Sequence, residues 1–348
     1  LLLGQEVFFY FCSPIIILLI YSTMHTFEDL REIIEQEIAS QPYDQRKPDG
    51  LFQPISYILR LGGKRVRPTL ACIACEMFGG DYKPALEVAM AIETYHNFTL
   101  LHDDLMDKSS MRRGKETVHH RWGDNTAILS GDAMTIAAYE HLAKVDSRLL
   151  PVLLPLFNRM AMEICQGQQY DMDFERRDFV AEDEYLEMIR LKTAVLLATA
   201  LKMGAIAGGA DIEKADILYR YGIHIGLSFQ LEDDLLDVYG DPIILGKKIG
   251  DDIACNKKTM LLIKTLEMAQ GEELNLLRES LLMPDAQREE KIRAVTGIYN
   301  RLGIRPIVED LIDYHNCLAE KALDELGLDE STTKPLRELI GTLRNRKS

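Results

Sequence analysis

With 348 residues, 47% of them hydrophobic, the chain is long enough to bury a substantial core in one large or two ordinary domains. A formal net charge of −15 speaks against nucleic acid or an anionic membrane surface as its main partner. Six cysteines, without the spacing of a disulfide framework, fit reduced thiols in a cytoplasmic protein.

Residues 7–21 are strongly apolar, but Ser13 and Pro14 interrupt them and they fall short of the roughly 20 residues of a spanning helix. The first residue is Leu1, and a good helix start follows Met24, where Thr26 can cap and Glu28 and Asp29 occupy the first turn. Residues 1–23 therefore read as translated upstream sequence, with a membrane anchor as the alternative, and no stable membrane insertion is expected. Residues 24–348 contain no linker or repeat and read as one domain. A helical period predicts helices over 27–38, 55–61, 84–101, 126–145, 149–168, 183–207, 212–236, 260–270, 288–302 and 307–326. Breaks are expected at Gly62-Gly63, Gly79-Gly80-Asp81, Arg113-Gly114, Gly208-Gly209 and 240–250. Cys72 and Cys75 fall in the apolar run 69–78 and read as core residues on a helix, not as a zinc or redox pair. No run alternates as a strand would, so the fold class is all-α, a bundle of long helices around a deep central cavity.

Two copies of one acidic pentad close apolar helical runs: Asp103-Asp104-Leu105-Met106-Asp107 and Asp233-Asp234-Leu235-Leu236-Asp237. On a helix, positions i and i+4 share a face, so Asp103 pairs with Asp107 and Asp233 with Asp237. Such like-charge pairs repel, and a cation held between the two helices offsets the repulsion. One pentad alone reads as readily as a cap or a solvated face; two at the ends of buried helices read as the walls of a metal site.

Cations accompany both pentads. Gly62-Gly63-Lys64-Arg65-Val66-Arg67-Pro68 places three on a glycine-started loop ahead of a helix, and Arg112-Arg113 follows the first pentad. After the second come Gly246-Lys247-Lys248 and Asn256-Lys257-Lys258. Metal-binding carboxylates beside Lys and Arg suit a polyanion such as diphosphate. No Walker-type loop or dinucleotide fingerprint is present to favour a nucleotide.

The ordered set Gly-Gly-Lys-Arg-x-Arg-Pro, His96, Asp-Asp-x-x-Asp, Arg-Arg-Gly, Lys192-Thr193, Phe229-Gln230, Asp-Asp-x-x-Asp and Gly-Lys resembles the trans-isoprenyl diphosphate synthases. The resemblance implies a homodimer whose two acidic motifs face each other across a cavity mouth and bind an allylic diphosphate through three Mg²⁺ ions. By position, it makes Asp103, Asp107 and Asp233 direct metal ligands, with Asp104, Asp234 and Asp237 direct or through water. Arg112, Lys192, Lys247 and Lys257 would hold the allylic diphosphate, and Lys64, Arg67, His96 and Arg113 isopentenyl diphosphate. Thr193 and Gln230 would direct oxygen dipoles at the allylic cation, with released diphosphate as the base. Gln168 and Asp171 match a segment near the allylic site, His102 reads as structural, and Arg65 and Lys248 as solvated neighbours.

Phe98 lies five residues before Asp103, about 7.5 Å along a helix axis, with the small Thr99 at the fourth position. That pattern resembles short-chain synthases making C20, with C15 next, Phe98 forming the floor; a deeper floor at Tyr95 is the alternative. Three other readings stand beside the synthase. A class I terpene cyclase shares the first motif, a non-catalytic partner subunit shares the fold, and a di-iron carboxylate bundle would use Glu93-x-x-His96 and Glu116-x-x-His119.

Overall fold

The computed structural model describes residues 24–241 and 249–344. The expectations for residues 1–23, Lys247 and Lys248 lie outside the described residues. Helices α1 (Phe27–Ser40), α2 (Asp49–Leu59), α3 (Val66–Gly79) and α4 (Leu86–Met106) lead to a small antiparallel hairpin, β1 (Met111–Arg112) and β2 (Lys115–Glu116). Then come α5 (Val118–Trp122), α6 (Asp124–Leu142), α7 (Leu150–Glu175) and α8 (Glu182–Ile189). A π-helical turn (Arg190–Ala194) joins α8 to α9 (Val195–Ala207), and α10 (Ile212–Tyr239) follows. The remaining helices are α11 (Asp251–Ala254), α12 (Met260–Met268), α13 (Gly271–Leu281), α14 (Arg288–Leu302), α15 (Ile304–Glu325) and α16 (Glu330–Arg344).

Thr26 caps α1 as the sequence predicts: its Oγ1 accepts from the Asp29 N–H at 3.1 Å, and Asp29 Oδ2 accepts from the Thr26 N–H at 2.9 Å. Leu30, Ile34 and Ile38 then bury one stripe of the helix, each worth about 1.5–3 kcal/mol relative to exposure. Helix α9 is buried almost all round because it is packed between α3 and α10. Helix α10 lies against α15 on another side, and α4 packs on α3 and α6. Two apolar clusters result, and α10 spans them: Leu218, Tyr221 and Ile225 belong to the larger, Leu231, Leu235 and Val238 to the smaller. The second pentad ends the helix that ties the two clusters together.

The all-α reading holds, with three local differences. The expected helix 183–207 is interrupted by the π turn, where the Val195 N–H donates to the Arg190 carbonyl. The break at Arg113-Gly114 is the tip of the β hairpin. Helices α5, α11, α13 and α16 lie outside the ranges expected from periodicity; α5 and α11 are too short to show a period, and α13 buries only Leu277 and Ser280, too few positions to set one. Cys72 and Cys75 are fully buried on α3. Among the described residues no helix is long and apolar enough to cross a membrane.

Candidate active site

Both pentads sit at helix C-termini. Asp103 and Asp104 lie in the last turn of α4 and Asp107 is its C-cap; Asp233, Asp234 and Asp237 lie in the last two turns of α10. A helix C-terminus carries partial negative charge, so the carboxylates in the last turn, Asp103, Asp104, Asp107 and Asp237, are repelled by their own helices as well as by each other. The six divide by exposure. Asp104, Asp234 and Asp237 are each 2% exposed, whereas Asp103 and Asp233 are partly exposed and Asp107 is open.

The buried three have firm partners. Asp104 Oδ2 accepts from Arg112 Nε at 2.7 Å, yet burial outweighs the guanidinium and raises the carboxyl above its usual range. Asp237 Oδ2 accepts from the Asp252 N–H at 3.0 Å, which anchors the start of α11. Asp234 accepts from the Tyr185 hydroxyl and, at 3.3 Å, from Gln230 Nε2. Complete burial, followed by the charge of Asp252, pushes Asp234 up to about 7.

Lys192 stands beside the first pentad, and Lys257 feels carboxylates of both. Lys192 Nζ donates to Asp171 Oδ2 at 2.6 Å and lies 3.2 Å from Asp103 Oδ1. Burial opposes its charge, but Asp171 and Asp103 together hold its pKa above the ordinary value. Lys257 behaves alike: burial works against its charge, and Asp252, Asp171, Asp234 and Asp103 more than compensate. One ammonium group thus senses carboxylates of both pentads.

The next residue, Thr193, donates from Oγ1 to Gln230 Oε1 at 3.1 Å. Lys192 and Thr193 both belong to the π turn, a device frequent at functional sites, which here turns two consecutive side chains towards one region. Gly167 on α7 permits it: a Cβ there would stand 2.3 Å from the Lys192 backbone nitrogen.

The donor chemistry fits a hard divalent cation. All candidate ligands are carboxylate oxygens, and Asp103 Oδ1, shielded from solvent, has the Lys192 ammonium beside it at 3.2 Å as an ion-pair partner. Among the described residues no three side chains are already gathered as a complete ligand set. Mg²⁺ usually takes one or two carboxylates and draws its other oxygens from water and phosphate.

A second cationic cluster stands beside the first. Arg67 Nη1 lies 3.4 Å from His96 Nε2, and Arg67 Nε is buried without a hydrogen-bond partner. Burial, then the charge of Arg67, lowers His96 well below its usual pKa; the neutral ring accepts from Arg67 at Nε2 and carries its proton on Nδ1. Arg113, with a left-handed φ of 52°, donates from Nη1 to the Gly62 carbonyl. A side chain at Gly63 would meet that guanidinium at 2.9 Å, so the glycine keeps Arg113 against the loop that carries Lys64.

Arg65 departs from the sequence reading. It is 3% exposed, not solvated, and bonds Glu35 at 2.8 Å and Glu93 at 2.6 Å. Its carboxylate partners come from two other helices, α1 and α4, which proximity in sequence could not reveal. Glu93 is thereby committed to Arg65 and Asn97, and Glu116 lies exposed on β2, which leaves the di-iron reading without a bundle of inward carboxylates.

One turn below the first pentad, Phe98 packs edge-on against His102 at 4.8 Å and Tyr95 at 5.1 Å. Tyr95 meets Phe157 at 5.3 Å and bonds the Ala161 carbonyl, and Phe157 meets Tyr139 at 5.3 Å. Thr99 turns its hydroxyl back to the His96 carbonyl at 2.8 Å. His102 lies 3.2 Å from the Ile128 carbonyl, and Gln168 reaches the Met106 sulfur at 3.8 Å. Among the described residues, a separate cavity of about 1080 Å³ between α1, α3, α10 and α16 meets the site at Gly63, Lys64 and Phe229. Sequence reasoning missed Tyr185 and Asp252; only the pentad residues they bond could have pointed to them.

The polyprenyl synthetase family profile matches residues 48–299. Among curated relatives, the geranylgeranyl pyrophosphate synthase of Geoglobus acetivorans is 42% identical over 275 residues, 78% of this chain and 84% of that protein. The geranylfarnesyl diphosphate synthase of Natronomonas pharaonis is 34% identical, covering 82% and 94% respectively. A crystal structure of a geranylgeranyl pyrophosphate synthase superposes with a TM-score of 0.88 at 43% identity, over 93% of this chain and all of that one. That of the Corynebacterium glutamicum geranylgeranyl pyrophosphate synthase, complexed with isoprenyl diphosphate and magnesium, gives 0.80 at 28% identity, over 92% and 98%. The matched span contains both pentads and every cation just described, and with it the chain belongs to the polyprenyl synthetase family of prenyltransferases.

Proposed function

We propose that this protein condenses isopentenyl diphosphate with an allylic diphosphate to make a short-chain trans-prenyl diphosphate, C20 favoured. The observation that carries the reading is the pair of cationic clusters: Arg112, Lys192 and Lys257 interleaved with the pentads, and Arg67, Arg113 and His96 beside Lys64. Two anion sites serve two diphosphates, whereas a terpene cyclase ionises one. All six pentad carboxylates are present, which favours a catalyst over an inactive partner subunit.

Asp103, Asp107 and Asp233 are the carboxylates open enough to ligate Mg²⁺, which when bound supplies positive charge to the departing diphosphate. Arg112, Lys192 and Lys257 neutralise the same charge as the allylic C1–O bond breaks and its electron pair leaves with diphosphate. Thr193 and Gln230 offer oxygen dipoles to the carbocation that remains. The double bond of isopentenyl diphosphate, held by Lys64, Arg67, His96 and Arg113, attacks C1; the new cation then loses a proton to the released diphosphate. Shielding by the surrounding helices keeps water from trapping the cation.

Phe98 would end chain growth one turn below Asp103. Relatives named for geranylgeranyl and geranylfarnesyl products add C25 to C15 as the next products to test. Phe98→Ala should lengthen the product by one isoprene unit, because Tyr95, anchored by its hydroxyl, stands directly behind. Mass analysis of the products checks this; an unchanged distribution removes Phe98 as the floor.

A homodimer fits the exposed apolar side chains of α6 and α7: Leu129, Ile136 and Met162 are 59%, 63% and 62% exposed. The test of the whole reading uses purified protein with isopentenyl diphosphate and, separately, C5, C10 and C15 allylic diphosphates, with Mg²⁺ or EDTA. Linear prenyl diphosphates formed only with metal, by a species sedimenting at twice 39.6 kDa, are the expected result. Cyclic hydrocarbon would identify a cyclase, and no product from any primer would overturn the proposal.

A further inference from the structure

Tyr185 bonds neither cationic cluster, yet it is 1% exposed at the centre of the site, and its hydroxyl donates to Asp234 Oδ2 from α8 across to α10. The Met260 N–H, at the start of α12, approaches the same oxygen at 3.4 Å. The second oxygen, Asp234 Oδ1, accepts from Gln230 Nε2 at 3.3 Å. Gln230 Oε1 in turn accepts from Thr193 Oγ1 at 3.1 Å.

This chain of bonds has a direction. Tyr185 and Met260 donate to one oxygen of Asp234, and the end of the Gln230 amide that faces its other oxygen is the NH₂, which donates to it. The amide oxygen then faces Thr193, whose hydroxyl proton is occupied by that bond, so Thr193 shows only lone pairs to its other neighbours. Were the Gln230 amide reversed, its NH₂ would face the region where positive charge develops.

We propose that Tyr185 is a positioning residue for prenyl transfer: acting through Asp234, it holds the Gln230 amide with its oxygen towards Thr193 and the reacting carbon before the carbocation forms. This rests on the prenyl-transfer reading above, which wild-type turnover tests separately. Dipoles fixed in advance need no reorganisation when the charge appears, so their loss is felt in the chemical step and not in substrate binding.

The experiment compares wild type, Tyr185→Phe, Gln230→Ala and the double variant, each assayed well below its thermal midpoint. Tyr185→Phe removes one oxygen and keeps the ring. It should lower kcat by roughly 10- to 100-fold, less than the loss of a donor in direct contact with reacting charge. Both KM values and the Mg²⁺ concentration for half-maximal rate should stay within about twofold of wild type, the pattern of an interaction made only in the transition state. In the Gln230→Ala background the tyrosine substitution should change nothing further, since its effect passes through that amide. Three results would overturn the proposal: an undiminished kcat, a loss accompanied by a raised Mg²⁺ requirement, which would place Tyr185 behind the metal instead, or losses that multiply in the double variant. Product length is a further check, because a shift there would mean that helices had moved.

Discussion

Asp103→Ala and Asp233→Ala are each expected to lower kcat by roughly 10³-fold or more, because in the proposed mechanism each would remove a ligand for the cation that meets the leaving diphosphate. The same substitutions should leave the metal-free fold intact. Asp103 sits in the last turn of its helix, where a negative charge is unfavourable by about 0.3–1 kcal/mol, and both carboxylates are at least partly solvated. Asp103 forms ion pairs with Lys192 at 3.2 Å and Arg112 at 3.9 Å, so its removal exchanges two favourable contacts for relief from Asp104, Asp107 and the helix end. The decisive comparison is a thermal melt with and without Mg²⁺ plus inorganic diphosphate. Wild type should gain stability from the pair of ligands, and the variants should gain little. Near-normal turnover, or an undiminished ligand-induced rise in Tm, would refute the metal assignment at that residue.

How far the site could be read from the sequence depended on whether the relevant contacts were local. The ends of α4 and α10 were legible because pentad and helical period overlap within one segment, and the Thr26 cap because its partner is three residues away. Arg65 was misread for the opposite reason: Glu35 and Glu93 lie 30 and 28 residues distant, and without them an arginine on a glycine-rich loop reads as solvated. The β hairpin escaped detection because two-residue strands cannot show an alternation. The π turn is silent in sequence, since Arg190-Leu191-Lys192-Thr193-Ala194 continues the helical pattern on either side. What packs against the widened turn is Gly167 of α7, a tertiary contact that no local pattern reveals.

Gly167→Ala should lower kcat by about 10²-fold, the scale associated with misplacing catalytic groups by about 1 Å. The added Cβ would stand 2.3 Å from the Lys192 nitrogen and 2.8 Å from the Leu191 carbonyl carbon. Both are backbone atoms, so no rotamer change relieves the overlap, and α7 or the π turn must give way. Displacing the turn moves Lys192 from Asp103 and Asp171, and Thr193 from Gln230, in one step. Stability should respond far less: overpacking destabilises by about 1–3 kcal/mol, and alanine in a helix interior returns up to about 1 kcal/mol relative to glycine. Gly297→Ala on α14 is the control, because a Cβ there meets nothing nearer than the Arg301 guanidinium at 3.4 Å. It should leave turnover unchanged and raise Tm slightly. Full activity in Gly167→Ala would mean that the turn can shift without carrying Lys192 and Thr193 away from their partners, and the link from that helix contact to catalysis would be lost.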